Sequence, residues 1–203
     1  MATAPAKSQT AYHHGDLRKA LLEAATLRIE RDGLEGLSLR KLAEDIGVSR
    51  TALYHHFKDK SALLNAIAAQ GFAAWTQMTL SHGDDEGLPV RERLRGFIFG
   101  YVDWARRHPQ LYDLMFGSSI WKKGLADEHL KEVAYPAFQA MLGMISRWQR
   151  GGNINSNADP LRLTQVIWAT VHGMVRLLMD GIYADATHLD AMCDCALELI
   201  IQA

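Results

Sequence analysis

At 203 residues and 48% hydrophobic content, the chain has the apolar material for a buried core and is not compositionally disordered. A net charge of −1 excludes an architectural polycation, since such binders depend on many phosphate contacts. The balance is uneven along the chain: residues 1–60 carry +2 and the remainder −3, so any basic reader of nucleic acid is expected near the start, where His13, His14, His55 and His56 also fall.

Taken in chain order, residues 1–11 are small and polar and are expected to form a disordered tail. They lack the apolar stretch of a secretory signal, and no apolar run reaches the ~18 residues of a membrane span, so a soluble, cytoplasmic protein with no membrane contact is expected. A first helix is predicted from Asp16 to Gly33, with Leu17, Ala20, Leu21, Ala24, Ala25 and then Leu27 or Arg28 at three-four spacing. Ser38 is the expected N-cap of a short second helix whose Leu39, Leu42, Ala43 and Ile46 face inward. Gly47 ends it, because glycine tolerates positive φ. Val48 plugs the turn, and Ser49 caps a third helix, Arg50 to Phe57, anchored by Leu53 and Phe57. Two short helices joined by a glycine-bearing turn are a helix-turn-helix arrangement. Asp59 or Ser61 caps a long fourth helix at about 62–82, and residues 83–89 are the clearest loop. Further helical patterns lie at about 90–107, 109–116, 127–149, 160–182 and 187–202, with no strand alternation and no internal repeat. The expected architecture is all-α, about nine helices: a three-helix unit over 12–60 and a helical body over 61–203.

The polar face of the third helix is Arg50, Thr51, Tyr54 and His55, at i, i+1, i+4 and i+5, and a helix of this size fits the major groove of double-stranded DNA. Arg50, forked and always charged, suits a guanine edge; Thr51 suits phosphate or a thymine methyl; Ala52 permits close approach. Ser38 and the free amides of the second helix suit a phosphate, and Arg40 reaches backbone or base. Lys58 and Lys60 are expected DNA contacts as well, with a second reading, as solvated loop charges, left open. Tyr12, His13 and His14 are weaker candidates for backbone or minor-groove contacts.

The ordered combination Gly47-Val48-Ser49, Leu53-Tyr54-His55-His56-Phe57 and Lys58-Asp59-Lys60-Ser61-Ala62-Leu63-Leu64 resembles the N-terminal domain of the tetracycline-repressor (TetR) family. Tyr12-His13-His14-Gly15-Asp16-Leu17-Arg18 resembles one branch of it, and Trp168-Ala169-Thr170-Val171-His172-Gly173 resembles the Trp-His-Gly signature of one class of its C-terminal domains. The resemblance implies a sequence-specific transcriptional regulator, a repressor or an activator, whose fourth helix connects a DNA reader to a ligand-binding and dimerisation body. It also implies a homodimer through the helices at about 160–182 and 187–202, a palindromic operator, and a small, largely apolar effector. Tyr54, His56 and Lys60 match positions that usually hold phosphates in that family, and Ser49 is a further expected DNA contact. Tyr101, Trp104, Met115, Phe116, Trp121, Met141, Ile145, Trp148, Trp168 and His172 are the expected pocket residues. Each of them also reads as plain core packing, and His172 as a satisfied core histidine. Arg176 and Asp180 read as an ordinary i, i+4 ion pair.

Three other functions are disfavoured. No zinc-type spacing, phosphate loop or nucleophile elbow is present, so neither metal, cofactor nor catalysis is expected. Cys193 and Cys195 lie two apart on a helix, poorly placed to bridge, and Asp194 and Glu198 disfavour a reactive thiolate; this weakens a redox-responsive alternative. The near-neutral charge weakens the architectural one.

Overall fold

The structure, a computed structural model, describes residues 14–83, 85, 87–152, 154, 157–183 and 188–202, with the side chains of 14–16 and 202 outside the description. Tyr12, His13, the side chain of His14 and the tail at 1–11 therefore lie outside the described residues. Among the described residues there are nine helices and no strand: α1 (His14–Asp32), α2 (Leu39–Ile46), α3 (Arg50–His56), α4 (Lys60–Gly83), α5 (Val90–Arg107), α6 (Pro109–Phe116), α7 (Glu128–Arg150), α8 (Pro160–Met179) and α9 (Leu189–Gln202). The chain divides into two compact units, one ending at Leu63 and one beginning at Leu64, within the first turns of α4.

In the first unit, Leu17, Leu21, Leu22, Ala25 and Ile29 form the buried stripe of α1; α1 packs on α2, where Leu42 and Ala43 are buried, and α2 packs on α3, where Leu53 is buried. Leu27 is 72% exposed; the stripe passes through Ile29, and Arg28 leaves it to pair with Asp32 and with Asp45 of α2. Gly47 adopts φ 77°, ψ 29° and its N–H reaches the carbonyls of Ala43 and Glu44, closing α2 with a left-handed turn that a β-carbon would strain. Two expectations are corrected here. Ile46, like Leu39 and Val48, is only half-buried, so Leu42 and Ala43 alone are the buried residues of α2. Ser38 occupies the N-cap position with extended backbone, but its hydroxyl makes no capping bond. Ser49 does cap: its oxygen accepts from the amide of Ala52 at 3.1 Å. Asp59, rather than Ser61, supplies the cap of α4, accepting from the amide of Ala62 at 2.7 Å.

In the second unit, α5 packs on α8 and α9, α7 packs on α8, and α6 follows α5 after one non-helical residue. Pro109 and Pro160 occupy first-turn positions where a missing N–H costs nothing, and Asp127 and Asp159 cap α7 and α8. Gly71 of α4 lets α6 approach closely: a β-carbon there would stand 2.5 Å from the sulfur of Met115. Asn65 is buried, with its amide donating to the carbonyl of Leu125 and its oxygen accepting from the N–H of Asp127, so it clamps the segment between α6 and α7 onto α4. No described helix is long and apolar enough to cross a membrane.

Cys193 is buried and Cys195 exposed, both free. Burial, aided by Asp190 and Asp194, pushes the Cys193 thiol up to about 11. Alkylation of the native protein at pH 8, read by peptide mass spectrometry, is expected to leave Cys193 unmodified until the protein is unfolded; a native-state adduct there would contradict this packing.

Candidate functional site

Two regions, one in each unit, carry the chemistry. The first is the outer face of α3. Leu53 and Phe57 are 1% and 2% exposed, and the same seven-residue helix turns Arg50, Thr51, Tyr54 and His55 outward. Burying one side of so short a helix fixes its rotation, so the exposed side is a defined surface rather than a mobile one. Ala52 and His56 are half-buried at its edges. The guanidinium of Arg18 lies 5.3 Å from the ring centre of Phe57, tying α1 to the end of α3. Ser49 spends its oxygen on the cap but keeps its O–H as a donor. Arg40 is exposed and paired with Glu44 at 3.0 Å, one turn along α2. Lys58 is exposed, whereas Lys60 donates to the carbonyl of Leu34 at 2.9 Å and thereby holds the α1–α2 connection. Lys60 thus has a structural role that its sequence position does not announce.

The second region is a cavity of about 800 Å³ in the helical body, a size typical of small-molecule sites. Of the ten expected pocket residues, Met115, Phe116, Trp121, Trp168 and His172 line it. Tyr101, Trp104, Met141, Ile145 and Trp148 do not. Tyr101, Met141, Ile145 and Trp148 are buried in the packing between helices, and Trp104 leans on His108 and Tyr112. Met144 and Val175 are likewise fully buried. Phe72 and Trp75 of α4 and Tyr135 and Phe138 of α7 complete the aromatic wall, and Asp113, Lys122 and Arg176 supply its charge. Arg176 binds Asp113 of α6 and Asp180 of its own helix, each at 2.9 Å, so the i, i+4 pair is one arm of a bridge between helices.

His172 ends a buried relay. The indole N–H of Trp168 donates to the Tyr101 hydroxyl at 3.1 Å, the Tyr101 and Tyr112 hydroxyls lie 3.0 Å apart, and Tyr112 is 2.5 Å from Nδ1 of His172. Trp168 can only donate, so each hydroxyl proton is used once only if Tyr101 donates to Tyr112 and Tyr112 to Nδ1. The opposite sense strands the buried Tyr101 proton, at a cost of about 1–3 kcal/mol. Burial holds both phenols neutral by raising them above their usual range. Donor accounting therefore assigns His172 the neutral form, with its proton on Nε2.

Desolvation first, and then the charge of Arg176, lower the His172 imidazole below its ordinary value. The unfolded chain then takes up this proton first as pH falls, so the stabilising contribution is complete above about pH 6.5 and declines below it. Melting temperature is expected to fall more steeply from pH 7.5 to 5 in the parent than in His172→Gln. Parallel curves would contradict the assignment.

Comparison with known proteins places these features in context. Residues 94–200, more than half of the chain, match the family model "Tetracyclin repressor-like, C-terminal domain", and residues 21–67 match "Bacterial regulatory proteins, tetR family". The chain belongs to the TetR family. Its membership makes it a helix-turn-helix protein of a family of transcriptional regulators rather than of enzymes. A protein of unknown function from Rhodococcus sp. RHA1 is 31% identical, with a TM-score of 0.81, over 96% of this chain and all of that one. The class C tetracycline repressor of Escherichia coli is 49% identical over 95 residues, 45% of this TetR-family chain and 43% of the repressor, so the chain spans under half of that relative. The transcriptional repressor AcnR of Corynebacterium glutamicum is 26% identical over 164 residues, 81% of this chain and 78% of AcnR.

Proposed function

We propose that this TetR-family protein is a homodimeric, sequence-specific repressor that is released from a palindromic operator when a small molecule fills the cavity of its helical body. The observation that carries the reading is the exposed ridge of Arg50, Thr51, Tyr54 and His55 above the buried Leu53 and Phe57. Arg50 reads a guanine edge. Thr51, Tyr54 and His55 add base-edge or phosphate contacts, with Ala52 allowing close approach. Ser38, Arg40, Ser49, His56, Lys58 and the remaining donors of Lys60 hold the phosphate backbone. Trp168 and His172, which both line the cavity, support placing the body in the Trp-His-Gly class.

The dimer is supported by a face with no cover within the protomer. On α8, Leu161 and Val166 are 37% and 62% exposed beside the exposed Ala169, and a β-carbon at Gly173 would meet nothing within 4 Å. On α9, Ala191, Cys195 and Leu199 form an exposed i, i+4, i+8 stripe. Small and apolar residues on two adjacent helices suit an isologous four-helix contact. Two equal readers then call for half-sites about one helical turn apart, ~35 Å.

Selection of bound duplexes from a random pool tests the proposal. The expected product is one inverted repeat with centres ~10 bp apart. An enriched sequence without two-fold symmetry, or no enrichment, would contradict it.

A further inference from the structure

Resting on the reading of the cavity as the effector site, we infer that its ligand is a planar aromatic molecule, uncharged, carrying a hydrogen-bond acceptor such as a ring-linked carbonyl. Three observations set these attributes separately.

The wall sets the shape. Besides His172, seven aromatic rings line the cavity: Phe72, Trp75, Phe116, Trp121, Phe138, Trp168 and the exposed Tyr135. They meet largely edge to face or tilted: Phe72 and Phe116 at 76° with centres 5.2 Å apart, Phe72 and Trp121 at 86°, and Trp75 and Phe116 at 73°. Such a wall offers both ring faces and ring edges, which a flat aromatic guest complements by stacking and edge contact, and a saturated chain only by area.

The relay sets the polarity. Tyr112 occupies Nδ1 of His172, so Nε2 carries the proton, and that N–H has no partner among the described residues. Among the indoles of the wall, Trp168 donates to Tyr101, Trp121 donates to the carbonyl of Met115, and the Trp75 N–H is buried away from the surface, while Ser118, Lys122, Tyr135 and Gln139, further polar side chains of the lining, are exposed to solvent. His172 therefore offers the ligand a half-buried N–H, which an acceptor on the ligand satisfies.

The surrounding charges set neutrality. Arg176 is already held by Asp113 and by Asp180 outside the lining, and Lys122, the other cation of the wall, is exposed to solvent. An anion entering beside them would face Asp113, and a cation would face Arg176, Lys122 and the imidazole N–H. Away from the solvated Lys122, neither sign finds an unpaired counter-charge.

The test is equilibrium dialysis of the full-length protein against four probes: 2-acetylnaphthalene, naphthalene, 2-naphthoate and 2-undecanone. 2-Acetylnaphthalene is expected to bind most tightly, about fivefold better than naphthalene, the gain of one neutral hydrogen bond. In His172→Leu that ratio falls to about one. In His172→Gln it persists, since a glutamine carbonyl accepts from Tyr112 while its amide donates. Equal binding of acetylnaphthalene and naphthalene by the parent protein, preference for naphthoate or undecanone, no binding of any probe, or a ratio that survives in His172→Leu would each overturn the inference. None of these measurements involves DNA. A probe that binds as expected yet fails to release the selected duplex would count against the effector reading alone.

Discussion

Arg50→Ala is expected to cut discrimination between the selected duplex and a scrambled one at least roughly thirtyfold while leaving the fold intact. Arg50 is exposed at the first position of α3, so its loss opens no cavity and removes no cap, and stability should stay within ~0.5 kcal/mol of the parent. A bidentate arginine–guanine pair contributes about 1–3 kcal/mol of discrimination, and a symmetric dimer loses two of them, together about 2–6 kcal/mol or at least roughly thirtyfold in affinity for the selected site. Non-specific affinity should fall far less, because a phosphate-type contribution is shared among Ser38, Arg40, Ser49, His56, Lys58 and Lys60. Fluorescence anisotropy with both duplexes at one fixed salt concentration reads the difference. If Arg50→Ala keeps the preference, the ridge has been assigned the wrong reader. Lys60 is a poorer probe of phosphate binding, because Lys60→Ala also removes the bond to Leu34 and loosens the α1–α2 connection.

The second large effect concerns what holds the ridge. Phe57→Ala removes a ring 2% exposed at the base of α3, together with its contact to the Arg18 guanidinium. Truncations of this kind cost about 3–5 kcal/mol, a large part of the stability of a unit of some sixty residues. The loss should be local, because the unit ending at Leu63 has its own core. Differential scanning calorimetry is expected to show a separate, earlier transition in Phe57→Ala, with DNA binding lost and 2-acetylnaphthalene binding to the second unit retained. A single transition shifted as a whole would show that the two units unfold together.

Most of the fold was legible because helical periodicity, caps and breakers are local signals. Pro89, His108-Pro109 and Gly117 bound α5 and α6, and both helices fall where the sequence puts them, at 90–107 and 109–116. The ends that moved did so for local reasons. The Asp59 side chain caps α4 and brings its start to Lys60, and α8 stops at Met179 because Gly181 takes φ 71°. The outer face of α3 was equally readable, since Leu53 and Phe57 fix what must turn outward. The cavity was not. Whether an aromatic side chain meets another side chain or a void depends on how four or five helices converge, and the sequence of each helix is silent on that. Tyr101 and Trp148 share the composition of a pocket wall but fill the core. Phe72 and Trp75 lie on a helix that reads as a connector, and only their i, i+3 spacing signals a shared aromatic face. Arg176 looked like half of a helix ion pair, and only the approach of α6 brings Asp113 to it.

Dimethyl sulfate footprinting of the selected duplex tests the central claim most directly, because the reagent reports guanine N7 in the major groove and adenine N3 in the minor groove. The account predicts protection of guanine N7 in two patches on one face of the duplex, about one helical turn apart, and loss of both patches with Arg50→Ala. Protection confined to adenine N3, or to a single patch, would contradict it.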